Sequence, residues 1–283
     1  MEQVSKKVII SVTDFTPIGQ YSVDNAAEFT KLIKGKLMVL HVVTKDTKAK
    51  LRKEKKCTKT LDECMQQICN KVQEDYGIEA SYVLPEGNIF DTLGSTASTL
   101  NADFVFMGIH GKKGIEFLVG GNAIKVITRC SVPIFVVHKP ASGKDFKNFI
   151  YPLDSCPGAK QKIKIAMELQ KITGTTFHFF VYMPENDPNV NRTKAAWSQI
   201  EKILKDHNAT YTIEKYTKLN GFENAVVALA KNINADAIIL NTDPEKFTWS
   251  PLQLPEEKII YNKEGITVLC VNAKNMNRIV GGL

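Results

Sequence analysis

Residues 103–138 read DFVFMGIHGKKGIEFLVGGNAIKVITRCSVPIFVVH, and this stretch decides the fold. Phe104 to Met107 is an apolar run of strand length. A glycine-rich loop follows, with Gly108, Gly111, Gly114, Gly120 and Gly121. Ala123 to Arg129 has a helical pattern, and Pro133 introduces a second apolar strand, Ile134 to Val137. Strand, glycine loop, helix and strand make a βαβ unit. Glycines between a strand and a helix N-terminus let backbone N–H groups approach an anion with no Cβ in the way.

Outward from this unit the pattern alternates. Lys7 to Val12 reads as a strand that ends at Thr13-Asp14, and Ser22 reads as the cap of a helix reaching Ile33. Lys36 to Val43 is the next strand. Between Thr58 and Tyr76, Leu61, Cys64, Met65, Ile68, Cys69 and Val72 recur on one helical face. Glu79 to Leu84 is a strand, and Ile89 to Leu100 a helix with Asn88 as its cap. Strands alternating with helices imply a parallel sheet covered on both faces. In such a sheet ligands bind beyond the carboxyl ends of the strands, at a topological switch point. Asp14, His41-Val42 and Gly108 all fall at such ends.

After a polar linker, KPASGKDFK at 139–147, the order repeats. Asn148 to Leu153 ends at Asp154 as the first strand ends at Asp14, with a helix expected from Ala159 to Ile172. ADAIILN at 235–241 resembles ADFVFMG at 102–108. The period is roughly 140 residues, enough for each copy to be a domain. The expected architecture is α/β: two tandem domains, 1–140 and 146–275, each an open doubly wound five-stranded parallel sheet with helices on both faces. The second copy lacks the glycines. Pro244, Pro251 and Pro255 stand in its loop with Asp243, Glu245, Glu256 and Glu257. Proline offers no N–H and the carboxylates repel phosphate, so this copy should not hold phosphate in the same way.

Composition bounds the function. The chain has 283 residues, 43% hydrophobic and 24% charged, with a formal net charge of +7. No apolar run approaches the roughly 20 residues of a membrane helix. Six cysteines in so long a chain do not form a disulfide scaffold, so buried thiols in a reducing cytoplasm are expected. Cys57, Cys64 and Cys69 contain no C-x2-C pair, and no metal site is expected. Lys45, Lys48, Lys50, Arg52, Lys53, Lys55 and Lys56 form a basic run without interleaved aromatics. It reads as a solvated loop and the start of a helix, and nucleic acid is disfavoured as a partner.

These residues resemble the universal stress proteins. The nucleotide-binding members carry Gly-x2-Gly-x9-Gly followed by Ser or Thr after the fourth strand. Gly108, Gly111 and Gly121 reproduce that spacing, with Asn122 at the last position. IISVTDFTP is similar to the family's first strand, and LHVV to its second. The resemblance implies that the first domain binds ATP or another adenine nucleotide, with or without Mg²⁺. In that reading Asp14 contacts adenine and ribose, Val42 meets adenine through its backbone, and Gly108, Gly111, Gly121 and Asn122 surround the phosphates. It also implies a cytoplasmic stress-response role through an unknown protein partner. The closing strands of the two copies are expected to form an internal pseudo-dimer, with homo-oligomers a further option. No catalytic residue is assigned, and slow ATP hydrolysis is the most enzymatic activity expected. Two other readings are a nucleotide-independent scaffold with vestigial sites and an ATPase or nucleotidyl-transfer enzyme. Trp249 is a candidate for filling the space a nucleotide would occupy in the second copy.

Overall fold

The computed structural model describes residues 6–53, 58–109, 121–143, 145–156, 158–243 and 255–272. The chain divides into two compact units, one covering Met1–Gly143 and the other Lys144–Lys274. Each is an α/β unit built on a parallel sheet.

In the first unit the strands are β1 (Val8–Val12), β2 (Lys36–Leu40), β3 (Ala80–Val83), β4 (Phe104–Gly108) and β5 (Ile134–Val137), in the spatial order β3-β2-β1-β4-β5. All four pairings are parallel. The chain leaves β1 toward β2 and leaves β4 toward β5, so the order reverses between β1 and β4. That reversal opens a crevice beyond their carboxyl ends.

The helices are α1 (Pro17–Leu32), α2 (Lys45–Lys53), α3 (Thr58–Tyr76), α4 (Ile89–Thr99) and α5 (Gly121–Arg129). Helix α1 lies across β1, β4 and β5 and against α3, while α4 packs on α5. Phe29 of α1 anchors the core, with Phe104, Phe106 and Phe135 at ring distances of 5.5, 5.5 and 5.3 Å. Phe106 and Phe135 are register partners on β4 and β5 and stack at 4.5 Å. Cross-strand aromatic pairs of this kind pin the register, because a slip by one residue would turn the rings to the opposite face.

Two boundaries differ from expectation for physical reasons. Helix α1 begins five residues before Ser22: Thr16 is its cap, accepting from the Gly19 N–H at 3.2 Å, and Pro17 takes the first helical position. Ser22 lies inside the helix, its hydroxyl buried against that of Ser11 at 2.9 Å. The basic run forms a helix, α2, from its first lysine. It buries no residue, so it carries no apolar periodicity to read. Thr44 Oγ1 accepts from Thr47 N–H at 3.1 Å at its start, and Lys50, Arg52 and Lys53 suit the negative end of its dipole.

The second unit has β6 (Asn148–Leu153), α6 (Ile163–Thr173), β7 (Thr176–Tyr182), α7 (Val190–Asp206), β8 (Tyr211–Tyr216), α8 (Phe222–Asn232), β9 (Ala237–Thr242), α9 (Pro255–Ile260) and β10 (Thr267–Asn272). Its order, β8-β7-β6-β9-β10, repeats that of the first unit, again with parallel pairings. Tyr151 and Phe179 pack at 4.5 Å, and Trp197 joins them at 5.3 Å from Phe179. The edge strand β8 exposes Thr212, Glu214 and Lys215, polar side chains that discourage pairing with another sheet.

Among the described cysteines, Cys69, Cys130 and Cys270 are buried and Cys64 and Cys156 half-buried, all as free thiols. Burial pushes the Cys69 and Cys130 thiols up to about 11, which keeps them protonated and unreactive. Among the described residues no helix is long and apolar enough to cross a membrane.

Candidate functional site

A small cavity, partly open to solvent, lies at the carboxyl ends of β1, β2 and β4. Asp14, Val42 and Gly108 all line it, with Gly19, His41 and Ile89. Three segments far apart in sequence thus meet at the switch point. Gly121 and Asn122 open α5. Gly111 lies outside the described residues, as does the rest of the glycine loop from 110 to 120.

Asp14 is fixed by its own turn. Its Oδ1 accepts from Thr16 N–H at 3.0 Å and from Thr16 Oγ1 at 2.5 Å, so one carboxylate oxygen braces the start of α1. Oδ2 has no hydrogen bond among the described residues. Gly19, which the sequence reading passed over, is what lets α1 approach so closely. A Cβ there would lie 2.5 Å from Asp14 Oδ1 and 3.0 Å from Asp14 N. The signal in the sequence is a glycine in the first turn of a helix, where alanine is the better helix former.

Val42 shows its backbone to the cavity. Its neighbours are held by β3 and the loop after it: His41 N–H donates to Val83 O at 3.2 Å and Val43 N–H to Pro85 O at 2.8 Å. Alternate residues of a strand point their backbone groups to opposite sides. The Val42 N–H and C=O therefore face the β1 side, where β1 has already ended. They make no hydrogen bond among the described residues. A donor and an acceptor side by side, unpaired at a cavity wall, form an edge that complements a planar ligand carrying one of each.

Gly108 has a structural reason of its own. A Cβ at this position would come within 2.3 Å of Ile18 O and 2.5 Å of Ile18 Cγ2. The first turn of α1 is packed directly on the end of β4. In the second unit Asn241 stands where ADAIILN aligns with Gly108, and the helix after β6 starts late. Residues 158–162 form turns, and α6 begins only at Ile163. The turn at Asp154 is kept, with Oδ1 accepting from Cys156 N–H at 2.9 Å. Trp249 and the proline-bearing loop at 244–254 lie outside the described residues.

His41 is buried, 5% exposed. Its Nδ1 lies 2.9 Å from Thr13 O. Burial lowers its pKa below the usual histidine value, against the opposing pull of the Thr13 hydrogen bond and the Asp14 charge. Among the described residues no group of three or more His, Cys, Asp and Glu side chains is placed to hold a metal ion.

Residues 6–138 match the family described as the universal stress protein family. A universal stress protein of Methanocaldococcus jannaschii is 27% identical over 146 residues, covering 49% of this chain and 85% of the relative. The crystal structure of a universal stress protein from Archaeoglobus fulgidus covers 94% of this chain and 98% of its own, at 17% identity and a TM-score of 0.74. The fold of that protein is therefore the fold of this chain along nearly its whole length. A universal stress protein solved in complex with cAMP covers 47% of this chain and 98% of its own, with 16% identity and a TM-score of 0.38.

Proposed function

With residues 6–138 forming a universal stress protein domain, we propose that the first unit binds an adenine nucleotide, ATP or a relative, in the cavity at the ends of β1, β2 and β4. The observation that carries this reading is the unpaired Val42 amide. Adenine presents an N6 amino donor beside a ring-nitrogen acceptor, and the Val42 C=O and N–H complement that pair. In this reading Asp14 receives the sugar. The phosphates then extend toward the amino end of α5, where Gly121 and Asn122 offer backbone N–H groups at the positive end of the helix dipole. Mg²⁺, where it takes part, enters with the phosphates.

The protein acts by binding: nucleotide occupancy sets the state that a protein partner reads, in a cytoplasmic stress response. Hydrolysis, if any, is slow, because no residue is assigned to position a water or to stabilise charge on the transferring phosphoryl group. In the second unit Asn241 replaces Gly108, so the nucleotide site belongs to the first unit.

Calorimetric titration with ATP, ADP and AMP, with and without Mg²⁺, tests the reading. Binding that is lost in Gly121→Val while the fold is kept supports it. Absence of binding by all three nucleotides favours a scaffold whose crevice is vestigial.

A further inference from the structure

The basic run that opens at Lys45 has no part in the site described above. It forms α2, a helix that buries no residue. Its hold on the fold is slight: Thr44 Oγ1 caps its start, and Lys48 Nζ pairs with Glu86 at 2.6 Å. A helix this short is marginal alone in water. It is also self-repelling, with five cations against one carboxylate, Asp46. Lys45 and Lys48, Lys48 and Arg52, and Lys50 and Lys53 are neighbours at i, i+3 or i+4, and like charges at those spacings destabilise a helix. Lys45, Lys50, Arg52 and Lys53 are exposed and make no ion pair among the described residues.

Beside α2 lies a groove, lined from Val43 to Lys48 on one side and from Glu86 to Phe90 on the other. It holds about 1050 Å³, at the top of the ~300–1,000 Å³ range of small-molecule pockets, and is open to solvent. Val43, Ile89 and Phe90 supply its apolar lining. Within it Lys45 and Lys48 are balanced by Asp46 and Glu86, so the unbalanced charge lies further along α2, at Lys50, Arg52 and Lys53. Ile89 also lines the cavity at the ends of β1, β2 and β4, so the groove adjoins the candidate nucleotide site.

A near-neutral, partly apolar groove continued by a cationic helix sets the chemistry of its occupant. A nucleic acid would bring phosphates against Asp46 and Glu86, and no aromatic residue interleaves with the cations of α2 to stack a base. A membrane-surface helix needs an apolar face, and the apolar residues of α2 are Ala49 and Leu51 alone. We propose that α2 and the groove between it and α4 dock an acidic segment of a partner protein. Apolar side chains of that segment seat against Val43, Ile89 and Phe90, and its carboxylates run along Lys50, Arg52 and Lys53. Docking relieves the repulsion along α2 and gives the helix the packing that it lacks. This rests on the reading that the first unit acts through a protein partner, and it requires no bound nucleotide.

Fluorescence anisotropy on the full chain tests this with two labelled peptides, one of glutamates interspersed with leucine and phenylalanine, the other with glutamine at each glutamate. Wild type should prefer the acidic peptide roughly 3- to 10-fold, the worth of two or three exposed ion pairs. Raising the salt from about 0.01 M to about 0.15 M, which shortens the screening length from about 30 Å to about 8 Å, should shrink that preference. Lys50→Glu with Arg52→Glu should abolish it; α2 buries no residue, so the fold survives, as thermal melting will show. Lys164→Glu with Lys202→Glu, exposed positions of the second unit, changes the net charge equally and should leave the preference intact. Phe90→Ser should weaken the acidic peptide several-fold. No preference in wild type, or equal loss in both double variants, overturns the docking. Tighter binding of a single-stranded oligonucleotide or of phosphatidylserine vesicles, lost in Lys50→Glu with Arg52→Glu, assigns α2 to nucleic acid or membrane and overturns it also. ATP titration of the same samples separates the two readings: an acidic preference without ATP binding defeats the nucleotide site alone, and ATP binding without that preference defeats the docking alone.

Discussion

Replacing Lys162 by Met should make the stability of the second unit less dependent on pH. Lys162 is 2% exposed, just before α6. Its Nζ donates to Pro152 O at 2.7 Å and sits 4.5 Å from the centre of the Tyr151 ring. Burial pulls its pKa from the ordinary 10.5 down to about 8, against the opposing charges of Asp154, Cys156 and Glu256. A base whose pKa falls on folding binds fewer protons in the folded state between those two values. Stability therefore rises with pH across that window, and the penalty is fully present below it. At about 1.36 kcal/mol per unit, the folded chain carries a penalty of about 3 kcal/mol at pH 7, most of which is relieved by pH 10. The wild type also contains thiols raised to about 11 at Cys69 and Cys130, and Tyr76 raised to about 12, which lose stability as pH rises. Comparing wild type with Lys162→Met cancels these. Met cannot donate to Pro152 O, which costs about 1–3 kcal/mol at every pH. Urea unfolding followed by tryptophan fluorescence reports the second unit, which holds both Trp197 and Trp249. The stability of Lys162→Met relative to wild type should fall by about 2–3 kcal/mol from pH 7 to pH 10. A difference that stays constant, or moves the other way, refutes the buried-ammonium argument.

Two further outcomes follow from local geometry. Gly108→Ala drives a Cβ into Ile18 O and should cost about 1–3 kcal/mol in thermal unfolding by overpacking. An unchanged melting temperature would show that the end of β4 and the start of α1 can part freely. Asn88→Ala removes the side chain that accepts from Asp91 N–H at 3.2 Å at the start of α4, and should cost about 1 kcal/mol by chemical denaturation.

Long-range order was legible wherever side chains repeat with a period. The apolar face from Leu61 to Val72 predicts α3 with the bounds observed, Thr58–Tyr76. The runs Ile134 to Val137 and Asn148 to Leu153 are the observed β5 and β6. The convergence of Asp14, Val42 and Gly108 on one cavity follows from strand order, since loops at the carboxyl ends of a parallel sheet come together at the switch point. What was hidden depends on contacts that no periodicity encodes. Thr16-Pro17 starts α1, but Ser22 is an equally good cap by residue type. Pro17 favours Thr16, and the Ser11 hydroxyl inside the core is what receives Ser22. Helix α2 has no apolar face. Helix α6 begins only at Ile163, four residues after the expected start at Ala159, because residues 158–162 form turns. His41 reads as a structural strand-end histidine until Nε2 is seen without a partner.

The central claim is that the crevice of the first unit is a nucleotide site whose base is read by the Val42 backbone. Titration of the full chain with ATP and with inosine triphosphate, which carries a keto oxygen where adenine carries its amino group, tests this most directly. The Val42 C=O would then face an oxygen instead of a donor. ATP should bind roughly 10-fold or more tightly than the inosine analogue, the cost of leaving a buried acceptor unpaired. Equal binding of the two would contradict the base-edge reading, and heat from neither would contradict the nucleotide site itself.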